Sequence, residues 1–187
     1  MRKYFVLLWL LCPVAVLTYH FNYGQAELAR ELARERLVHI RELEQANDPD
    51  WDLILGEYDN IVEQLPPNDH PRARHQVRLA KAKARLEMLD VAGAIADLSQ
   101  LLKESAAVDG EDGATTRAVR ETLGKAYFYA TSLLKANGAT EEEWRPYAER
   151  TRQVFRYLAE HQDPAALADY ERRVEAEFAR SLGQQSL

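Results

Sequence analysis

Residues 71–103, PRARHQVRLAKAKARLEMLDVAGAIADLSQLLK, decide the fold, because two helical patterns meet there at a short turn. Proline is favoured in the first turn of a helix, which places the first start at Pro71. Apolar side chains then recur at helical intervals, and these are Leu79, Ala82, Leu86 and Leu89. Residues 90–93, DVAG, have the composition of a turn. The stretch therefore predicts an antiparallel pair of helices, over about 71–89 and 92–103.

Helical signals continue on both sides of this pair. Apolar spacing, capping residues, and proline or glycine stops predict further helices over residues 25–46, 51–65, 115–136, 140–161 and about 164–182. Residues 105–115, SAAVDGEDGAT, predict a loop, and Thr115 or Thr116 suits the N-cap of the next helix. No run of alternating β-branched and polar residues is long enough to predict a sheet. The predicted fold class is all-α, with about six helices after the N-terminal segment.

The predicted helix over residues 25–46 has a narrow apolar stripe along one side. The stripe consists of Ala26, Ala29, Ala33, Leu37, Ile40 and Leu43. It suits either packing on the rest of the chain or pairing with a partner helix. Three turns of stripe are short for a coiled coil, so packing within the chain is the expected arrangement.

The N-terminal segment predicts a membrane anchor. Residues 4–21 contain no Asp, Glu, Lys or Arg, and this length is near the lower limit of about 17 residues for a spanning helix. Arg2 and Lys3 precede it, so the positive-inside rule places the N-terminus in the cytoplasm. We therefore expect a cytoplasmic N-terminus and transmembrane anchor over 1–23, which contacts the bilayer through residues 4–21.

A cleaved secretory signal peptide is the alternative explanation of the same segment. Small residues at Gly24 and Ala26 offer a cleavage position, and cleavage there would release a secreted or periplasmic protein. The residues just before that position, from Tyr19 to Tyr23, are bulky for such a site, which favours the uncleaved anchor. The predicted organisation is an anchor, a juxtamembrane helix, a helical domain and a frayed tail, over residues 1–23, 24–47, 48–182 and 183–187 respectively.

Charge and cysteine content exclude several classes of function. The chain has 24 basic and 30 acidic side chains, a net charge of −6, which makes nucleic acid a poor partner. Its single cysteine, Cys12, excludes an intramolecular disulfide and a thiolate zinc site. None of the usual catalytic motifs occurs, including H-E-x-x-H, G-x-S-x-G and the P-loop. We expect no catalytic residues, no metal site, no cofactor and no small-molecule substrate.

The two best-defined helical pairs share a packing pattern. Small residues, Ala82 and Ala94, allow close approach of the helices in the first pair. Leu123, Gly124 and Tyr127 form a Leu-Gly-x-x-Tyr group in the second pair. On these residues the chain resembles the tetratricopeptide repeat superfamily over about residues 70–161, half of its length.

The resemblance implies a fold and a class of function. It implies an array of helical hairpins that binds other proteins and is not an enzyme. The layout, with a single anchor before the repeats, resembles that of the single-pass, TPR-like accessory proteins found in bacterial gene clusters for methanol oxidation and for MoxR-type ATPases with von Willebrand domains. It implies a scaffold or assembly factor in the bacterial inner membrane, with a periplasmic domain and a protein partner such as a subunit of a membrane complex.

One basic stripe stands out against the acidic background. Its residues follow intervals of four, three and four along the first helix of a pair, and they are Arg74, Arg78, Lys81 and Arg85. In tetratricopeptide proteins that helix lines the concave groove, so the resemblance implies a clamp for an acidic peptide or a C-terminal carboxylate. The alternative is an ordinary solvated face whose charges are neutralised by acidic neighbours.

Overall fold

The computed structural model describes residues 25–65 and 71–161, together with Arg172 and Ala176, both of which are helical and exposed. The predictions for the anchor at 1–23 and the tail at 183–187 lie outside the described residues. The predicted last helix lies outside them as well, apart from these two positions.

Six α-helices and no strands make up the described residues, so the all-α prediction is confirmed. They are α1 (Gln25–Glu44), α2 (Trp51–Gln64), α3 (Pro71–Glu87), α4 (Val91–Asp109), α5 (Ala114–Ala136) and α6 (Glu141–His161). In the part of the chain that the structure covers, none of these helices is both long and apolar enough to cross a bilayer.

The chain divides into two compact units, Met1–Arg74 and His75–Leu187. The predicted limits of the helical domain, 48–182, stay a prediction.

In the first unit, α1 packs against α2, as its apolar stripe predicts. Ala33 and Ile40 of that stripe are buried. The hydroxyl of Tyr58 donates a hydrogen bond of 2.9 Å to the Glu44 carboxylate, which joins the two helices. Burial, and then the bond to Glu44 and its charge, raise the pKa of Tyr58 well above the ordinary range of a phenol. Tyr58 therefore stays a protonated donor.

The second unit is a series of neighbouring helices around one core. Helix α4 packs on α5, and α5 packs on α6. The core is formed by Leu79, Ala82, Leu86, Val91, Ala94, Leu98, Leu101, Val119, Leu123, Ala126, Tyr127, Tyr129 and Ala130. Because α3, α4 and α5 all contribute to this cluster, helices that follow one another in sequence are also neighbours in space.

The turn between α3 and α4 lies close to its predicted place. Asp90 caps α4 by accepting a hydrogen bond of 3.0 Å from the Gly93 backbone N–H. Leu89 has a φ of 59°, in the left-handed region that ends many helices. The Asp90 backbone N–H bonds to the Arg85 carbonyl at 2.8 Å and closes this end of α3. Beyond this turn, side chains of the two helices meet, since Arg78 on α3 forms an ion pair with Glu104 on α4.

Two local predictions around residues 105–115 are wrong. Helix α4 continues to Asp109, because the alanine-rich segment sustains the helix and buried Ser105 donates to the Leu102 carbonyl at 3.2 Å. The N-cap of α5 is Gly113, with no side-chain capping bond, rather than Thr115 or Thr116. Helix α5 begins at Ala114, so both threonines lie inside its first turn and neither can serve as its cap.

The junction of α5 and α6 follows the predicted capping pattern. Thr140 donates its backbone N–H at 2.8 Å and its hydroxyl at 2.9 Å to the Glu143 carboxylate. These two bonds lower the pKa of Glu143. In the middle of α5, before this junction, Gly124 lies against α6. An added Cβ there would be 2.8 Å from Val154 Cγ1 and 3.0 Å from Phe155 Cε1. The absence of a side chain at this position allows the two helices to approach.

Candidate functional site

The first residue of the predicted basic stripe, Arg74, binds backbone rather than projecting freely. Its Nη1 donates to the carbonyl of Val62 at 2.9 Å and to that of Leu65 at 3.1 Å. These carbonyls lie at the end of α2, where the last turn of a helix leaves acceptors without partners in the helix. A cation is also favoured at this negative end of the helix dipole. Arg74 therefore stabilises the end of α2.

Arg78 is paired across the α3–α4 contact with the Glu104 carboxylate. Glu104 also accepts a hydrogen bond of 2.8 Å from Gln100, and it lies 3.9 Å from Nε2 of His75, a buried histidine. Burial raises the pKa of the Glu104 carboxyl, but hydrogen bonds from Arg78 and Gln100 and the charges of Arg78 and His75 outweigh that effect and lower it. Glu104 is thus an anion that neutralises Arg78.

Arg85 lies over the first turn of α4, between two aspartates. Its Nη1 is 3.0 Å from Asp90 Oδ2, and its Nε is 3.3 Å from Asp97 Oδ2. Gly93 leaves the space that this guanidinium occupies, since a Cβ there would overlap Arg85 and Asp90. Arg85 therefore fastens the turn between α3 and α4. Lys81, the remaining member of the stripe, is half-buried and also engaged in an interaction within the chain.

The structure thus places the predicted stripe on α3 but gives its arginines internal partners. An acidic ligand at Arg78 or Arg85 would compete with carboxylates that the chain itself supplies. Whether this stripe binds a peptide stays a prediction.

The residues predicted for helix packing lie in helix contacts. Ala82 and Ala94 are completely buried, and Leu123 and Tyr127 belong to the same core. The ring centroid of Tyr127 is 6.4 Å from that of Tyr147 on α6. Small residues on α3 and α4 and larger ones on α5 therefore belong to one core. Their assignment to a repeat stays a prediction.

A polar cluster that the sequence does not predict joins the α4–α5 loop to α6. Arg120 is 8% exposed, and it donates to the Glu111 carbonyl at 3.1 Å as well as to the Glu111 carboxylate. Its Cζ lies 4.1 Å from the centre of the Tyr157 ring, which stacks on His161. Because Arg120 and Tyr157 are distant in sequence and lie on different helices, residue spacing within one helix could not predict this cluster. It holds the loop in place beside α6.

A row of arginines on α6, which shares its face with Glu141, Glu149 and Glu160, also escaped prediction. Arg152 and Arg156 are both exposed, and in the described part of the chain neither forms an ion pair, a hydrogen bond or a ring contact. Arg145 belongs to the same face, although it is bound 2.6 Å from Glu141. In the sequence, arginines at intervals of seven and four residues within one predicted helix could have indicated that these three side chains share a face.

The described side chains can bind anions, but they offer no evident metal site. No group of three or more His, Cys, Asp or Glu side chains suited to a metal ion occurs within residues 25–65 and 71–161. The exposed guanidinium groups on α6 are donors for carboxylates or phosphates. No protein-family model, curated protein or solved structure matches this chain.

Proposed function

We propose that the protein is an interaction scaffold or assembly factor that is anchored in a membrane and presents its helices on the non-cytoplasmic side. The observation that carries this proposal is the packing of α4 on α5 and of α5 on α6, around a core to which α3 also contributes, with Gly124 at the α5–α6 contact. In such an array each helix buries one side against its neighbours and leaves another side for a partner. The apolar segment at 4–21 supports the membrane attachment.

The tetratricopeptide-like character of the helices is part of the same proposal. The α3–α4 pair and the α5–α6 pair would be two related hairpins. Ala82 and Ala94 support this assignment in the first pair, and Gly124 supports it in the second. Proteins built from stacked hairpins offer extended surfaces that suit protein ligands.

Cross-linking in intact membranes tests the scaffold function. The full chain carries a photo-reactive amino acid at exposed positions on α5 and α6, and the control is the 1–24 segment fused to an unrelated helical domain. We expect a defined adduct with one membrane-associated protein that the control does not form. Absence of any adduct from all exposed positions would contradict the scaffold proposal.

The second candidate is a helical binding protein released by signal-peptide cleavage. It is favoured only by the small residues at Gly24 and Ala26. Fractionation separates the two candidates, because an anchored chain stays with membranes after an alkaline wash, whereas a cleaved chain appears in the soluble fraction.

A further inference from the structure

Gly56 lies in the middle of α2, where the described chain makes no use of its missing side chain. A Cβ at Gly56 would have nothing within 4 Å, whereas a Cβ at Gly93 or Gly124 would collide with a neighbouring side chain. The backbone of Gly56 does not have a positive φ, so any residue could adopt it. Glycine is less favourable than alanine inside a helix. Gly56 therefore leaves a gap on the outside of α2 that no packing in the described residues explains.

The gap belongs to an exposed face of the helix. Leu53 is 48% exposed and lies three positions before Gly56, and exposed Asn60 lies four positions after it, so both border the gap. A missing Cβ beside a large apolar side chain suits the approach of a second helix, because the ridge of one helix enters the groove of the other. Gly124 has this role inside the chain, where α5 meets α6.

Negative charge lies at both ends of this face. Among the six described helices, α2 alone contains no Lys, Arg or His. Asp52 and Glu63 lie four positions before Gly56 and seven after it, which places all three on one stripe about 16 Å long. Both carboxylates are exposed, and neither forms an ion pair in the described residues. Leu53, Gly56 and Asn60, together with these two carboxylates, are called the outer face of α2 below.

We propose that the outer face of α2 is the docking surface for a basic amphipathic helix of the partner protein. This inference rests on the proposed scaffold function and names the chemistry of its partner. An apolar side chain of that helix fills the gap over Gly56 and packs on Leu53. Lys or Arg side chains on either side of it form charge-assisted hydrogen bonds with Asp52 and Glu63.

Charge complementarity favours this occupant over others. Nucleic acid and an anionic bilayer are both negatively charged, so a face whose only charged groups are carboxylates repels them. A symmetric pair of two copies of this chain would place the same face against itself, and its carboxylates would repel one another. A basic helix of a different protein meets neither obstacle.

The test measures, by fluorescence anisotropy, the binding of a labelled amphipathic peptide of leucine, alanine and lysine to the full chain in phosphatidylcholine nanodiscs. Empty nanodiscs give the blank, and the control ligands are a scrambled peptide and one with glutamate in place of lysine. The variants are Gly56→Leu, which fills the gap, and Asp52→Lys with Glu63→Lys. The matched control on α6 is Glu149→Lys with Glu160→Lys. These glutamates are also exposed, eleven positions apart and without an ion pair in the described residues.

We expect the native chain to bind the amphipathic lysine peptide more tightly than either control peptide. Gly56→Leu should weaken binding by at least about tenfold while circular dichroism stays unchanged, because the added side chain holds the peptide helix away from α2. The double variant of α2 should weaken it as much, and the α6 control much less. Unchanged binding by Gly56→Leu would overturn the proposal. Equal losses in the two lysine variants would overturn it too, since net charge alone would then explain binding.

A photo-reactive amino acid at Asn60 separates this docking surface from the scaffold function in intact membranes. If other exposed positions give a partner adduct but Asn60 gives none, the scaffold stands and the docking surface is wrong. If no position gives an adduct but peptide binding still depends on Gly56 and the two carboxylates, the docking surface stands and the scaffold proposal fails. An adduct at Asn60 between two copies of this chain would overturn the proposed partner helix.

Discussion

Arg78 on α3 is paired with Glu104 on α4, so a residue predicted to bind a partner's carboxylate already holds one from its own chain. The two residues are 26 positions apart, and their contact joins the two helices of the first predicted pair. The side chains are 22% and 36% exposed, which makes this a partly screened ion pair and not a deeply buried one. We therefore expect this ion pair to make a measurable but modest contribution to the free energy of unfolding.

A double-mutant cycle at Arg78 and Glu104 should show favourable coupling. Replacing each residue with alanine, singly and together, is expected to give a coupling energy of roughly 0.5–1 kcal/mol in the free energy of unfolding. Urea denaturation followed by circular dichroism measures it. As a control, the same cycle with Lys83 in place of Arg78 should give no coupling, since Lys83 is exposed and unpaired among the described residues. Additive effects at Arg78 and Glu104 would contradict the pairing.

The pH dependence of stability should report the same carboxylate. The pKa of Glu104 is lowered in the folded chain, so this group stabilises the fold above its unfolded pKa of about 4.3. Its contribution is lost as pH falls through the folded pKa, which lies lower. The difference in unfolding free energy between the native chain and Glu104→Gln should therefore be largest at neutral pH and shrink below about pH 4. A difference that grows on acidification would show that the sign is wrong.

Gly124→Leu should be far more damaging than the same change at Gly56. A Cβ at Gly124 meets Val154 and Phe155, whereas a Cβ at Gly56 on α2 has nothing within 4 Å. We expect a loss of about 1–3 kcal/mol at Gly124 from overpacking. At Gly56 we expect no loss or a small gain, because leucine is the better helix former. Thermal melts of the two variants make the comparison, and equal melting temperatures would contradict the close approach of α5 and α6.

Lys81→Glu tests whether the α3 stripe binds an acidic ligand. Reversing Arg78 is a poor test, because a glutamate there would face Glu104 and disturb the α3–α4 contact. We expect Lys81→Glu to change the binding of a labelled oligoglutamate peptide by less than about twofold, because Lys81 and the arginines beside it are already engaged within the chain. A loss of about tenfold or more would instead support the predicted clamp on α3.

Topology is tested at the two ends of the chain. Arg2, Lys3 and the apolar residues 4–21 predict an uncleaved anchor with the N-terminus in the cytoplasm. A C-terminal alkaline phosphatase fusion should then be active, and the mature protein should begin at Met1 or Arg2. A soluble product that begins near Glu27 would instead support signal-peptide cleavage.

Features that depend on neighbouring residues could be predicted from the sequence. The start of α2 after Asp50 is one example, and the Asp50 carboxylate accepts a hydrogen bond of 3.1 Å from the Leu53 backbone N–H. The Thr140–Glu143 contact at the start of α6 is another. Both contacts join residues three positions apart. Capping residue types at that spacing form the same hydrogen bonds at the start of many helices, so the sequence alone can predict them. Even here the N-cap of α5 was missed, because the chain places Gly113 there and buries Thr116.

Helical periodicity, together with capping residues and proline or glycine stops, was enough to predict that this chain forms helices and where most of them begin and end. Only the tertiary structure decided which arginines form ion pairs with carboxylates of the same chain. The α3 and α6 rows have similar spacing in the sequence, yet Arg78 reaches Glu104 whereas Arg152 and Arg156 reach no carboxylate in the described residues. The physical reason is that spacing along one helix fixes which face a side chain shares. The side chains opposite that face depend on which helix packs there and at what register.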